Sequence, residues 1–292
     1  MALNLYFYTS MQANQIELYN QTCFDCSRVV TQKYSTSFSI GIKAFEPKFR
    51  APVYAIYGFV RLADEIVDTF HEHDKHKLIK EFRLDTFKAI EQKISLNPIL
   101  QAFQAVVNQY QINPELIDAF LCSMEMDLDK KIHNKESYQT YIYGSAEVIG
   151  LMCLKVFCGG DDKQYLHLLP AARSLGSAFQ KVNFLRDIKS DLEERGRMYF
   201  PEIDFTNFGE ADKQRIEADI KKDFDDGFKG LKQLPKGARL GIYIAYICYS
   251  QLFKKITKLP ASVVLQKRIR ISDTHKLSLY CKALVQQKLN LI

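Results

Sequence analysis

The chain has 292 residues, 47% of them hydrophobic and 25% charged, which excludes a disordered or fibrous protein and allows one large globular domain. The formal net charge of +6 suits a phosphorylated substrate or an anionic membrane surface. The excess is not gathered into a basic arm, so nucleic acid is not an expected partner. Phe (20) and Tyr (16) are plentiful enough to line a large apolar cavity, while Trp is absent.

Residues 1–13 are expected to form a disordered leader, and residues 14–292 a single all-helical domain. No basic residue precedes Arg28 and no compact apolar segment follows, so no secretory signal is expected. With seven scattered cysteines, an odd number, the expected setting is a reducing cytoplasm with free thiols. Cys23 and Cys26 form a lone CxxC with no second pair at zinc-site spacing.

The first informative segment runs from Tyr57 to Asp68. Asp64 and Asp68 are four residues apart, so on a helix they share one face, which Arg61 and Tyr57 continue. Stacked like charges destabilise a bare helix and call for a cation. His71, His73 and His76 follow among Glu72 and Asp74 and read as a solvated turn.

Apolar residues at helical spacing predict helices over Leu78–Ile94 and Leu116–Leu128. Asn97-Pro98 and Asn113-Pro114 each place a cap before a first-turn proline. Gly159, Gly160 and Asp161 end one helix and cap the next.

The second acidic segment starts at Gln180. Asn183, Asp187 and Asp191 are spaced four and four, drifting about 40° per step, so all three point into one space. Their oxygen donors suit a hard cation such as Mg²⁺, which shares its shell with water and substrate phosphates. Arg195, Arg197 and Tyr199 follow the helix end near Gly196 and are suited to phosphate oxygens. Asp226-Gly227 sits inside a charged helical pattern, and Pro235 and Pro260 mark later breaks. The uncharged stretch Leu240–Phe253 is too short for a bilayer and reads as a buried helix. The whole pattern predicts eight to ten helices around one core.

Taken together, several segments resemble the squalene/phytoene synthase family. They are Lys33–Ser39 (KYSTSFS), Arg61–Asp68 with its DxxxD, Tyr141–Met152 (YIYGSAEVIGLM), and Gln180–Asp191 with the tail Arg195–Pro201 (RGRMYFP). The resemblance implies the all-α isoprenoid synthase fold around a central cavity. It implies Mg²⁺, or Mn²⁺ in its place, on Asp64, Asp68, Asn183, Asp187 and Asp191. It assigns Arg61, Arg186, Arg195 and Tyr199 to diphosphates, and Ser37, Phe38, Tyr57, Tyr143 and Gln180 to the reaction centre. Tyr141 and Tyr143 project to different faces, so one of them lines the cavity, and Tyr143 is the expected one.

The activity implied is head-to-head condensation of two prenyl diphosphates in carotenoid biosynthesis. Geranylgeranyl diphosphate is the expected substrate, passing through prephytoene diphosphate to phytoene without NADPH. The alternative is squalene or dehydrosqualene synthesis from farnesyl diphosphate, and a non-catalytic helical assembly factor is a third reading. The hydrocarbon product implies contact with a membrane periphery and with downstream carotenoid enzymes. Glu147 departs from the family pattern, which has a small residue there; whether it faces the cavity or pairs elsewhere stays open at this point.

Overall fold

The computed structural model describes residues 2–129, 132–194, 196–205 and 207–289; the side chains of residues 2–13 and of Thr36 and Ser37 lie outside that description. Among the described residues it is all-helical. There are thirteen α-helices: α1 (Ala2–Tyr34), α2 (Thr36–Lys43), α3 (Pro47–Asp68), α4 (Lys75–Gln92), α5 (Pro98–Tyr110), α6 (Pro114–Asp129), α7 (Lys135–Ile142), α8 (Val148–Cys158), α9 (Asp162–Glu193), α10 (Glu210–Leu231), α11 (Lys236–Thr257), α12 (Ala261–Gln266) and α13 (Asp273–Lys288). This exceeds the eight to ten expected because short segments such as α2, α7 and α12 are too brief to show a period of their own. The backbone is helical from Ala2, so α1 takes in the span expected as a leader; no Gly or Pro interrupts residues 2–34.

The predicted caps form as the residue types require. Asn97 accepts from the backbone N–H of Ile99 and Leu100, Asn113 from Glu115, and Asp161 from Gln164. Pro235 and Pro260 stand immediately before α11 and α12.

Between α7 and α8 the chain makes a π-helical turn, Tyr143–Glu147. The run Lys135–Cys158 is 24 residues long and apolar enough to cross a bilayer, but 67% of its most apolar window is buried inside the protein, as befits a core helix.

Among the described residues two large hydrophobic clusters hold most of the helices, and a small one, Leu240, Ile244 and Ala283, seats α13 on α11. The first large cluster joins α3, α4, α5, α6 and α8, with Phe59 stacked on Phe103 at 3.9 Å. The other joins α7, α9, α10, α11 and residues 199–208, with Phe184 stacked on Tyr199 at 4.1 Å. Among the described residues a single β-bridge, Ile132 to Met198, ties the segment after α6 to the segment after α9. That bridge brings Arg197 and Tyr199 over the end of α6.

Candidate active site

A cavity of about 590 Å³ is lined from both large clusters. Asp64 and Asp68 reach it from α3, and Asn183, Asp187 and Asp191 from α9. The four-residue spacing in both helices is what puts these donors on one wall each. Between them sits a carboxylate not singled out in the sequence, Asp127 of α6.

Asp127 is the hub of the polar end. Its side chain is 6% exposed. Tyr141 donates its hydroxyl hydrogen to Asp127 Oδ2 at 2.9 Å, and Tyr199 donates to Oδ1 at 3.4 Å. Arg197 Nη1 lies 3.6 Å from Asp127 Oδ1 and 3.2 Å from Asp68 Oδ1, while its Nη2 donates to the Asp127 backbone carbonyl at 3.0 Å. A signal for Asp127 was present. It continues the stripe of Leu116, Phe120 and Met124 at helical spacing, and a carboxylate on a buried stripe needs partners.

Burial, and after it the crowding of carboxylates, shows in the acidities of Asp64 and Asp127. Burial, reinforced by Asp68 and Asp127 and opposed by Arg61 and Arg197, pushes Asp64 up to about 7. Asp64 keeps 35% of its side-chain surface open, and that surface faces the cavity. Burial also pushes Asp127 up to about 6, against the pull of Arg197 and the Tyr141 hydrogen bond. Tyr141 and Tyr199 are both raised, by burial first and then by the Asp127 charge.

On α9, Arg186 forks onto Asp187, with Nη2 2.5 Å from Oδ2, and Arg268 adds a contact at 2.8 Å from Nε to Oδ1. Asn183 donates to Gln180 Oε1 at 3.3 Å and accepts from the Tyr249 hydroxyl at 3.2 Å. Tyr249 and Arg268 come from α11 and the segment after α12, where no short motif marks them.

The remaining expected residues divide. Phe38, Tyr57, Gln180, Arg186 and Tyr199 line the cavity, and Phe38 stacks on Tyr57 with centroids 4.8 Å apart. Tyr143 does not line it, a correction to the expectation. Residues two apart on a helix stand about 200° apart; Tyr141 faces Asp127, so Tyr143 packs on the first cluster beneath the Arg173 guanidinium, 5.1 Å from its ring. Nor does Arg61 line the cavity. Its guanidinium pairs with Glu65, stacks 4.3 Å over Tyr34 and stays 3.9 Å from Asp64. Glu147 faces away from the cavity and binds Arg173 at 2.5 Å. The side chain of Ser37 and all of Arg195 lie outside the described residues.

The donor set facing the cavity is oxygen throughout, which fits a hard divalent cation. Among the described residues no three His, Cys, Asp or Glu side chains converge as a ready-made metal cage. The donors instead stand on separate walls, an arrangement suited to an ion that completes its shell with water and substrate oxygens. The rest of the lining is apolar or small, including Val60, Ile149, Cys153, Phe157, Leu168, Ala171 and Leu231. The site therefore has a charged end and a greasy end.

Residues 31–275 match the family described as squalene/phytoene synthase. The chain is 27% identical over 256 residues to the chloroplastic phytoene synthase 1 of Arabidopsis thaliana, covering 80% of this chain and 59% of that protein. It is 30% identical over 190 residues to a presqualene diphosphate synthase of Sinorhizobium fredii, covering 63% of this chain and 65% of the relative. The chain spans about three fifths of the length of most of the plant relatives it matches. Its fold superposes on a crystal structure of a dehydrosqualene synthase with a TM-score of 0.78 at 20% identity, over 92% of this chain and 98% of that one. The all-α architecture is thus the isoprenoid synthase fold, and the chain belongs to the squalene/phytoene synthase family.

Proposed function

We propose that this chain joins two prenyl diphosphates head to head, and that its substrate is geranylgeranyl diphosphate and its product phytoene. The observation that carries the reading is the polarity of one cavity: oxygen donors of α3, α6 and α9 at one end, an apolar tunnel at the other. A prenyl diphosphate has the same two ends.

Asp64, Asp68, Asn183, Asp187 and Asp191 would hold Mg²⁺, with Mn²⁺ as its substitute. The ion, when bound, would supply Lewis acidity that favours departure of diphosphate from an allylic carbon. Arg186, Arg197, Arg268 and Tyr199 line the same end and are suited to diphosphate oxygens. Release of Asp187 from Arg186 and Arg268 would free both the carboxylate and the two guanidinium groups for substrate.

In the first step the allylic C–O bond breaks and its electron pair leaves with the diphosphate. The double bond of the second substrate attacks the allylic cation, and loss of a proton closes a cyclopropyl diphosphate. In the second step that diphosphate departs, the carbon skeleton rearranges and another proton is lost, with no reductant consumed. Phe38 and Tyr57 present stacked aromatic faces to the cavity, which stabilise a cation without bonding to it. The apolar walls keep water from quenching it.

Squalene-type chemistry on farnesyl diphosphate is the second reading, favoured by the 30% identity to a presqualene diphosphate synthase. In either case the product is a water-insoluble hydrocarbon or its diphosphate precursor, so we place the protein in the cytoplasm at a membrane periphery, passing product to later carotenoid enzymes. The test is to incubate purified protein and Mg²⁺ with each diphosphate, with and without NADPH, and identify the product by mass. A forty-carbon product independent of NADPH supports phytoene synthesis; a thirty-carbon product moves the assignment to the second reading.

A further inference from the structure

The apolar end of the cavity lies where α8 and α10 end and α9 begins. Phe157, at the end of α8, lines the cavity there and is 5% exposed. Its ring is backed by two others. The Phe45 centroid lies 5.1 Å away and that of Phe49 5.4 Å away, edge-on at 79°. Both backing rings are buried core residues outside the cavity lining. Phe45 is itself pressed against α11 at Gly241, where a Cβ would fall 2.2 Å from the Phe45 ring. Phe157 therefore stands between the cavity and a close-packed layer that leaves it no room to swing back.

The opposite end is fixed by the oxygen donors. On α9, Leu168 and Asn183 both line the cavity, and the fifteen-residue step from one to the other spans about 22 Å of helix. On α3, Phe49 stands the same fifteen residues before Asp64. A substrate whose diphosphate sits among the carboxylates thus points its tail along these helices toward Phe157.

We infer that Phe157 is the stop that sets the longest prenyl chain this cavity accepts. The inference rests on the proposed condensation and adds to it the residue that chooses between substrates. Each additional five-carbon unit extends the tail against a ring that is braced from behind, so the excess length cannot be absorbed by relaxation. Trimming the ring opens space that the packed layer does not refill.

The test compares Phe157→Ala, Phe157→Leu and Phe157→Trp with the parent protein in the presence of Mg²⁺. Two quantities are read: affinity for non-ionisable thiodiphosphate analogues with fifteen-, twenty- and twenty-five-carbon tails, and kcat/KM for the corresponding diphosphates. The smaller side chains should raise the preference for the longer tail over the next shorter one by roughly tenfold or more, and Phe157→Trp should shift it the other way. Phe157→Leu carries the enlarging arm if the alanine variant does not fold. Unchanged preferences in folded Phe157→Leu and Phe157→Trp would overturn the inference while leaving the condensation standing. A parent protein that binds none of the analogues and converts none of the diphosphates would overturn both.

Discussion

Arg197 lies 3.2 Å from Asp68, a partner 129 residues earlier in the chain. The contact closes the charged end of the cavity, because the same guanidinium also bonds the backbone of Asp127 and faces its carboxylate. Arg197 is 10% exposed, and its positive charge is held firmly: burial opposes it, but Asp127, Tyr199 and Asp68 more than compensate.

Removing that guanidinium leaves the buried Asp127 and the half-buried Asp68 without the cation they share. Arg197→Ala should lower folding stability by about 3–5 kcal/mol at neutral pH, read by urea denaturation. Arg197→Ala combined with Asp127→Asn should cost less than the sum of the two single changes, because the two groups interact directly.

The acidity of Asp64 makes the metal-free protein pH-sensitive with a definite sign. In the unfolded chain Asp64 titrates at 3.8, in the folded protein at about 7. Between those values the folded state holds the extra proton, so this group's contribution to stability is greatest at the acidic end and is lost as pH rises through the window. Asp127, raised to about 6, acts in the same direction. In EDTA, the melting temperature of the parent protein should fall relative to that of Asp64→Asn as pH goes from 5 to 8. Parallel curves for the two proteins would contradict the assignment.

Tyr141 and Tyr143 should separate cleanly. Tyr141→Phe deletes the donor to Asp127 and should cut kcat/KM by about tenfold, in line with loss of one hydrogen bond to a charged group. Tyr143→Phe, on the opposite face, should leave kcat/KM close to that of the parent. Glu147→Gln, which touches Arg173 outside the cavity, should behave like Tyr143→Phe.

The π-helical turn depends on a close helix contact. A Cβ at Gly144 would lie 2.4 Å from the backbone carbonyl of Ala119 on α6. Gly144→Ala should therefore destabilise the protein by about 1–3 kcal/mol, measured by denaturation, and weaken activity by displacing Tyr141 from Asp127.

The acidic faces of α3 and α9 were legible because they are local: four-residue spacing dictates which side chains share a helix face, whatever the helix packs against. The caps at Asn97 and Asp161 were legible for the same reason. For Asp127 only the place on the buried stripe of α6 was legible; its partners were not, because they arrive only when residues 197–199 fold back across the end of α6, about seventy positions away in sequence. The choice between Tyr141 and Tyr143 was equally hidden. Spacing says that they face apart, but the rotation of α7 is set by Gly144 seating on α6. Tyr249 and Arg268 belong to the site through the return of the C-terminal third, whose sequence shows helices but no motif.

In the proposed reaction the carboxylate-lined end of this cavity releases diphosphate from two prenyl chains as they are joined. The most direct measurement is the yield of inorganic diphosphate against hydrocarbon from geranylgeranyl diphosphate and Mg²⁺, for the parent protein and for Asp187→Ala shown by circular dichroism to be folded. The parent should release two diphosphates for each hydrocarbon it forms, and Asp187→Ala should give neither product. Full hydrocarbon yield from the folded Asp187→Ala protein would contradict it.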